Sequence, residues 1–85
     1  MTYRIEYRPS FERDFRKLSR DLQQRISPKI NALAENPRPQ GVEKMAGEEN
    51  QYRIRVGDYR IIYEIQDKVL LVLVIRIGHR REVYR

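Results

Sequence analysis

The most apolar stretch of the chain is residues 69–75, with the sequence VLLVLVI. A run of β-branched and leucine residues without polar alternation is typical of a central strand that is covered on both faces. A buried helical segment is the alternative at this length. The β-branched enrichment and the turn-like residues 66–68 that precede the run favour a strand. We therefore expect the rest of the chain to cover this strand.

The N-terminal segment is predicted to form a strand followed by a short helix. Residues 3–7 alternate between apolar and charged side chains, which is the period of a half-buried strand. A proline then interrupts the pattern, and Ser10 is the predicted N-cap of a helix. Phe11, Phe15 and Leu18 follow at helical spacing and define its apolar side.

A second helix is predicted after Ser19. Its apolar stripe consists of Leu22, Ile26, Ile30 and Leu33. Pro28 lies inside this helix, where a proline costs about 3 kcal/mol, so the helix either kinks there or restarts with Ser27 as a cap. Because the stripe stays in phase across the proline, we favour one kinked helix, which ends before Pro37.

The second half of the chain is predicted to form most of a sheet. A short strand is possible within residues 42–45. Residues 52–56 and 59–65 alternate between apolar and polar side chains on either side of Gly57 and Asp58, which predicts a β-hairpin with a tight turn. The central strand then follows the hairpin.

The predicted architecture is β-α-α-β-β-β, a single domain over residues 1–85. It is an α+β fold in which two helices pack on one face of a small, mainly antiparallel, four-stranded twisted sheet. The apolar positions of the hairpin would face the helices, so Arg53, Arg55 and Arg60 would share the helix-free face. Residues 78–81 are predicted to form a turn that brings more cations to the same rim.

Composition excludes several classes of function. The chain has no cysteine, which excludes disulfides and thiolate chemistry, and its single histidine argues against a zinc or iron site. We expect no metal and no cofactor. The apolar run is too short to span a bilayer, and the N-terminus carries charges where a signal peptide needs an apolar stretch. A cytoplasmic protein is expected.

The net charge is +6, from 18 lysines and arginines against 12 acids. Residues 53–85 hold 8 basic and 4 acidic side chains, a net charge of +4, and all but one of these basic residues are arginine. The planar guanidinium suits bidentate binding of phosphate. Such a face indicates either nucleic-acid binding or an ordinary solvated surface.

An arginine cluster with a tyrosine and a histidine nearby suits the cleavage of RNA by its own 2′-hydroxyl. That reaction needs a base, an acid and cations that stabilise the charge on the attacked phosphate. Arginines remain charged at every working pH and suit the last role. Tyr84 and His79 are candidates for proton transfer or for stacking on a base. The alternative is that Arg53, Arg55 and Arg60 are ordinary solvent-facing residues.

Two segments carry a resemblance to a known family. YRIRVGDYRIIYEI (residues 52–65) and IGHRREVYR (residues 77–85), together with the apolar strand, resemble the RelE/ParE superfamily of toxins from bacterial toxin–antitoxin systems, and its RelE branch in particular. KLSRDLQQRI and LAENPRP support the resemblance, which covers nearly the whole chain. It implies a ribosome-dependent endonuclease that cuts mRNA in the ribosomal A site without a metal. It also implies a RelB-like antitoxin that forms a hetero-oligomer with the toxin.

The resemblance implies roles for individual residues. Arg60 matches the family arginine that stabilises the attacked phosphate. Arg80, with Arg81 as the alternative, matches the arginine that protonates the leaving group or stabilises charge. Tyr84 matches the tyrosine that orients the 2′-hydroxyl or stacks on a base. His79 stands where members often carry lysine or histidine, and it is a further candidate for acid–base work.

The candidate RNA-binding residues are Arg53, Arg55, Arg76 and Lys44. The first two replace a lysine pair of the best-known family pattern, and arginine is a poor general base, so deprotonation by lysine does not transfer to this chain. Two other functions remain open: a ParE-like inhibitor of DNA gyrase and an RNA-binding module without catalysis. We expect an antitoxin segment with apolar anchors and acidic residues to cover the basic face or a groove between the helices.

Overall fold

The computed structural model describes residues 2–79 of the chain. The elements in chain order are β1 (Arg4–Tyr7), α1 (Pro9–Arg16), α2 (Arg20–Ala32), β2 (Glu43–Lys44), β3 (Gln51–Val56), β4 (Tyr59–Gln66), a 3-10 turn (Asp67–Val69) and β5 (Leu71–His79). The predicted α+β class and the helix pair are confirmed.

The sheet has the strand order β1-β5-β4-β3-β2, in which β1 and β5 run parallel and the other neighbours are antiparallel. It therefore has five strands where four were predicted, because the short segment that was considered possible pairs with β3 as β2. The hairpin of β3 and β4 is confirmed. Its loop begins with Gly57 at φ 60°, a conformation that two-residue hairpin loops require of their first residue.

The predicted central strand is β5, which lies between β1 and β4. The first two residues of the apolar run are not in the strand: Val69 is 57% exposed in the 3-10 turn, and Leu70 has a left-handed φ of 52°. Coverage also differs between the two faces, because Val72 and Val74 are fully buried whereas Leu73 is half-buried. The strand is thus covered more completely on the helix side.

The start of α1 differs from the prediction. Arg8 occupies the N-cap position and Pro9 the first turn of the helix, where the missing N–H of proline removes no hydrogen bond. Ser10 lies inside the helix, and its hydroxyl donates a hydrogen bond to the carbonyl of Ile75 in β5 over 2.6 Å. The prediction of Ser10 as the N-cap was wrong, and this side chain ties α1 to the sheet.

The second helix agrees with its sequence pattern. The hydroxyl of Ser19 accepts a hydrogen bond from the backbone N–H of Leu22 over 3.2 Å, so Ser19 is the N-cap. The helix continues through Pro28, which confirms a single helix. Ile26 and Ile30 are buried against the sheet.

The register of β4 against β5 shifts at one point. Ile62 and Tyr63 are consecutive in β4, but they lie opposite Arg76 and Val74, so Ile75 is the extra residue of a β-bulge.

The bulge decides which face each later side chain of β5 occupies. Strict alternation from the buried Val74 would turn Arg76 toward the helices and Ile77 away from them. The extra residue reverses the parity, so that Ile77 is buried in the core and Arg76 is exposed opposite Ile62. The core between helices and sheet is therefore apolar to the end of the strand.

A polar network on the surface joins the residue before β1, the loop after α2 and the 3-10 turn before β5. The hydroxyl of Tyr3 donates a hydrogen bond to Asp67 over 2.6 Å. Arg38 donates two hydrogen bonds to the same carboxylate, over 2.8 and 3.2 Å, and its guanidinium lies 5.2 Å from the centre of the Tyr52 ring. The Arg38 guanidinium, and after it the Tyr3 hydroxyl, lower the pKa of Asp67 from 3.8 to about 2.

The substitution Asp67→Asn should remove part of the acid sensitivity of the fold. Because the folded-state pKa is lowered, the ionised carboxylate stabilises the fold above about pH 4, and this contribution is lost as the pH falls toward about 2. Urea denaturation across that window should show a smaller loss of stability in Asp67→Asn than in wild type. Asp58→Asn, in the exposed hairpin turn, is the control, and an equal loss in all three proteins would contradict the assignment.

Tyr63→Phe tests a hydrogen bond at the centre of the fold. Tyr63 is fully buried, which raises the pKa of its hydroxyl, and it donates a hydrogen bond to the carbonyl of the buried Pro37 over 2.7 Å. Phenylalanine keeps the ring and leaves that carbonyl without this donor, so we expect a loss of about 1–2 kcal/mol in the free energy of unfolding. Chemical denaturation measures it against Tyr59→Phe, whose ring is half-buried. A loss no larger than in that control would contradict the prediction.

Candidate nucleic-acid interface

Within residues 2–79, four arginines from three strands cluster at one end of the helix-free face of the sheet. Arg55 lies directly opposite Arg60, and in the next row Ile62 lies between Arg53 and Arg76. Directly opposed residues of antiparallel strands share a face. We call the surface formed by Arg53, Arg55, Arg60 and Arg76 the arginine face. It lies toward the end of the sheet where the β3–β4 turn meets the last residues of β5.

The arginines of this face differ in burial. Arg60 is only 7% exposed, Arg53 is half-buried, and Arg55 and Arg76 are exposed. Ile62 is also 7% exposed although it lies outside the apolar core that the helices cover. The face therefore has an apolar centre with a buried cation beside it, surrounded by cations that solvent reaches.

Two contacts orient the arginines of β3. The Nη2 atom of Arg53 lies 3.3 Å from an Oε2 atom of Glu43, the residue directly opposite it in β2. Arg55 donates from Nε to the carbonyl of Gly57 over 3.2 Å, which turns its side chain toward the hairpin loop. Exposed pairs of this kind add little stability, so their main effect is on where the charges lie.

Among the described residues, the other end of the same sheet face is net acidic, with Glu6 and Glu64 against one arginine, Arg4. Glu64 lies opposite Leu73, which in turn lies beside Glu6 of β1. Glu6 accepts a hydrogen bond from Arg4 over 2.7 Å, and Glu64 accepts one from the amide of Gln66. A phosphate backbone would therefore be attracted to one end of the face and not to the other.

Two predicted site residues lie on the helix side of the sheet. His79 is opposite Tyr59, and their rings meet edge to face with centroids 5.7 Å apart. Lys44 is opposite Tyr52, whose ring packs against the core. The register thus unites the four arginines and separates His79 and Lys44 from them.

The remaining predicted site residues are outside the part of the chain that the structure describes. These are Arg80, Arg81 and Tyr84. Gly78 and His79, the first two residues of the predicted turn at 78–81, instead belong to β5, and the other two are outside the described residues.

Sequence reasoning missed Glu43. A strand of two residues carries no periodic signal, so its register with β3, and with it the contact to Arg53, could not be read from the sequence. The signal that could have indicated it was an acidic residue, Glu43, within the possible strand at residues 42–45.

A groove of about 300 Å³ lies on the opposite side of the molecule, between α1 and α2. Phe11, Phe15 and Ile30 supply its apolar lining, and Tyr7 stacks on Phe11 at its edge, with ring centroids 5.3 Å apart. Among residues 2–79, no group of three acidic, histidine or cysteine side chains is placed to hold a metal ion. No helix of the same range is long and apolar enough to cross a membrane.

Comparisons with known proteins find toxins of toxin–antitoxin systems as relatives. The family model described as the ParE toxin of type II toxin–antitoxin system, parDE, matches residues 5–84. The mRNA interferase toxin RelE of Escherichia coli K12 is 28% identical, over 99% of this chain and 92% of that protein. Toxin RelG of Mycobacterium tuberculosis is also 28% identical, over 100% of this chain and 99% of its own.

Solved structures of RelE proteins share the fold. A mutant of the E. coli toxin RelE in the free state superposes with a TM-score of 0.82 at 27% identity, over 99% of this chain and 92% of that chain. The archaeal RelE–RelB complex from Pyrococcus horikoshii gives a TM-score of 0.83 at 27% identity, over 94% of this chain and 97% of that chain. The chain therefore belongs to the ParE toxin family of type II toxin–antitoxin systems, and its relatives place it in the RelE branch of the RelE/ParE superfamily.

Proposed function

We propose that this type II toxin is an endonuclease that cuts mRNA in the A site of the ribosome and so inhibits translation. The 2′-hydroxyl of the message attacks the adjacent phosphate, and no metal takes part. The observation that carries the proposal is the arginine face, on which a buried Arg60 lies among three further arginines. The similarity to a protein named mRNA interferase toxin RelE supports it.

Arg60 has the properties that stabilisation of a transition state requires. Charge accumulates on the phosphate oxygens during the attack, and a cation that is already in place there costs no reorganisation. A buried guanidinium directly opposite Arg55 has limited freedom to move, and it presents planar donors that match a phosphate. Arg53, Arg55 and Arg76 would hold the neighbouring phosphates of the message.

The proton transfers are assigned by similarity to the RelE branch. Arg80, or Arg81 in its place, protonates the leaving 5′-oxygen or stabilises its charge, and Tyr84 orients the 2′-hydroxyl or stacks on a base. His79 lies at the end of β5, from which these residues follow, and we retain it as a candidate acid–base group at that edge. Lys44, on the other side of β2, is assigned to contacts with ribosomal RNA.

A ParE-like inhibitor of DNA gyrase is the second candidate function. The description of the family model that matches residues 5–84 favours it. The two functions share one fold, so the distinction must come from the chemistry of the arginine face. Inhibition of gyrase by binding requires no cation held at a reacting phosphate, whereas cleavage of RNA does.

The proposed partner is a RelB-like antitoxin that forms a hetero-oligomer with this toxin in the cytoplasm. The archaeal relative was solved as a RelE–RelB complex, and the E. coli toxin as a RelBE complex. On this chain, apolar anchors of an antitoxin helix would fit the groove between α1 and α2, and acidic residues would pair with the arginine face.

Arg60→Ala should slow cleavage strongly without unfolding the protein. Removal of a fixed donor to the transition state costs about 100- to 1,000-fold in rate, and we expect a loss of this size in single-turnover cleavage of ribosome-bound mRNA. Arg4→Ala is the matched control, because Arg4 lies on the same sheet face at its far end. Denaturation curves and antitoxin binding show whether each variant is folded. Equal rates in both variants would contradict the role of Arg60.

Two assays on the wild-type toxin decide between mRNA cleavage and gyrase inhibition. Primer extension on a reporter message, with and without ribosomes, should show cuts that require ribosomes. An intact message, together with plasmid that gyrase can no longer supercoil, would establish the gyrase inhibitor instead. No effect in either assay would leave a binding module.

Neutralisation of the arginine face should weaken antitoxin binding. A variant with glutamine at positions 53, 55 and 60 loses three cations, so we expect at least tenfold weaker binding of an acidic antitoxin, about 1.4 kcal/mol. Binding by wild type should also decline more steeply with salt than binding by the variant. Full affinity in the variant would show that the antitoxin does not use this face.

A further inference from the structure

The proposed reaction needs a group that accepts the proton of the 2′-hydroxyl. None of the four side chains of the arginine face can do so, because a guanidinium remains protonated in proteins. A carboxylate on the same face can. Glu43 lies in one row with Arg53, Ile62 and Arg76, and its carboxylate is 3.3 Å from the Arg53 guanidinium.

We infer that Glu43 is the general base of this toxin; the inference rests on the proposed function and names a catalytic residue for it. Other carboxylates of the same sheet face are engaged at its far end, Glu6 with Arg4 and Glu64 with Gln66. Glu43 instead contacts the arginine face itself. Its side chain is 58% exposed, so a bound RNA can reach it.

In this geometry Arg53 can contact both the attacked phosphate and the Glu43 carboxylate. Residues diagonal to each other on paired strands lie about 7–8 Å apart, so Arg53 and Arg60 can hold one phosphate between them. With the phosphate held there, we place the ribose that carries the attacking 2′-hydroxyl beside the carboxylate in contact with Arg53. Within the described residues, Arg53 contacts the Oε2 atom of Glu43, and an ionised carboxylate has further lone pairs that can accept the hydroxyl proton.

The step balances without any further reactant. The O–H bond of the 2′-hydroxyl breaks and its proton passes to the Glu43 carboxylate, while the 2′-oxygen forms a bond to phosphorus. The bond from phosphorus to the 5′-oxygen breaks, and that oxygen takes a proton from the general acid or from water. The products are a 2′,3′-cyclic phosphate and a 5′-hydroxyl, and Glu43 returns its proton to solvent.

Among the described residues, the charged groups that pair with or flank Glu43 come from β2 and β3. From β3, the strand that pairs with β2, Arg53 faces it directly, and Arg55 follows two residues later on the same face. Within β2, the neighbouring Lys44 lies on the opposite face of the sheet. General-base catalysis gives a pH–rate profile an acid limb, so that limb is one readout of the inference.

Glu43→Gln tests the inference, because it keeps the size of the side chain and removes its ability to accept a proton. Loss of a general base costs about 100- to 10,000-fold, so we expect a single-turnover rate on programmed ribosomes at least 100-fold below wild type. The acid limb of the pH–rate profile should disappear, and Glu43→Asp should restore part of the rate. Glu64→Gln is the control: it makes the same change on the same face of the sheet, away from the arginine face, and this variant should cleave as wild type does.

A message with a bridging 5′-sulfur at the cleaved phosphate distinguishes loss of the general base from loss of the general acid. A thiolate leaves without a proton, so this substrate should rescue variants that lack the general acid but not Glu43→Gln. Three results would each overturn the inference. The 5′-sulfur substrate could rescue Glu43→Gln, this variant could cleave at the wild-type rate, or it could cleave more slowly with the acid limb of its pH–rate profile intact. The proposed function would still stand if wild type cuts and Arg60→Ala does not. If wild type makes no ribosome-dependent cut, both are wrong.

Discussion

The pairing of β4 with β5 is the constraint on which the rest of the structure depends. Both strands lie inside the sheet, so each must supply apolar side chains to the core and polar side chains to the other face. The bulge at Ile75 makes this possible, since it directs Ile77 into the core and leaves Arg76 on the helix-free face. Without the bulge a guanidinium would be buried under the helices, where an unpaired charge is strongly destabilising. Arg60 reaches the arginine face by the plain alternation of β4, in which Ile61 and Tyr63 are buried in the core.

The features that the sequence predicts are those with a clear period. The alternation in β3 and β4 predicts which arginines share a face, and the apolar stripe through Pro28 predicts a single second helix. The features it does not predict have no period of their own. The uniformly apolar residues 69–75 conceal both the true start of β5 and its bulge, and a serine after a proline gives two competing signals for a helix start. The contact of Glu43 with Arg53 depends on a two-residue strand whose register only tertiary pairing determines.

Fixed charge and proton transfer place different demands on side chains, and this chain meets them with different residues. Arginines supply cations whose protonation does not change, and a half-buried or buried guanidinium holds its position without reorganisation. A chain that carries arginine where the best-known family pattern has lysine needs another proton acceptor. In the proposed reaction a carboxylate at the edge of the arginine face takes that part, and it also fixes the orientation of one of the arginines.

The chemistry of the RNA ends tests the central claim most directly. Wild-type toxin is incubated with ribosomes that hold a message in the A site, and both fragments are isolated and their termini identified. Attack by the 2′-hydroxyl predicts a 2′,3′-cyclic phosphate on the upstream fragment and a 5′-hydroxyl on the downstream fragment, both only when ribosomes are present. A 5′-phosphate at the cut, or a message that stays intact while gyrase is inhibited, would contradict the account.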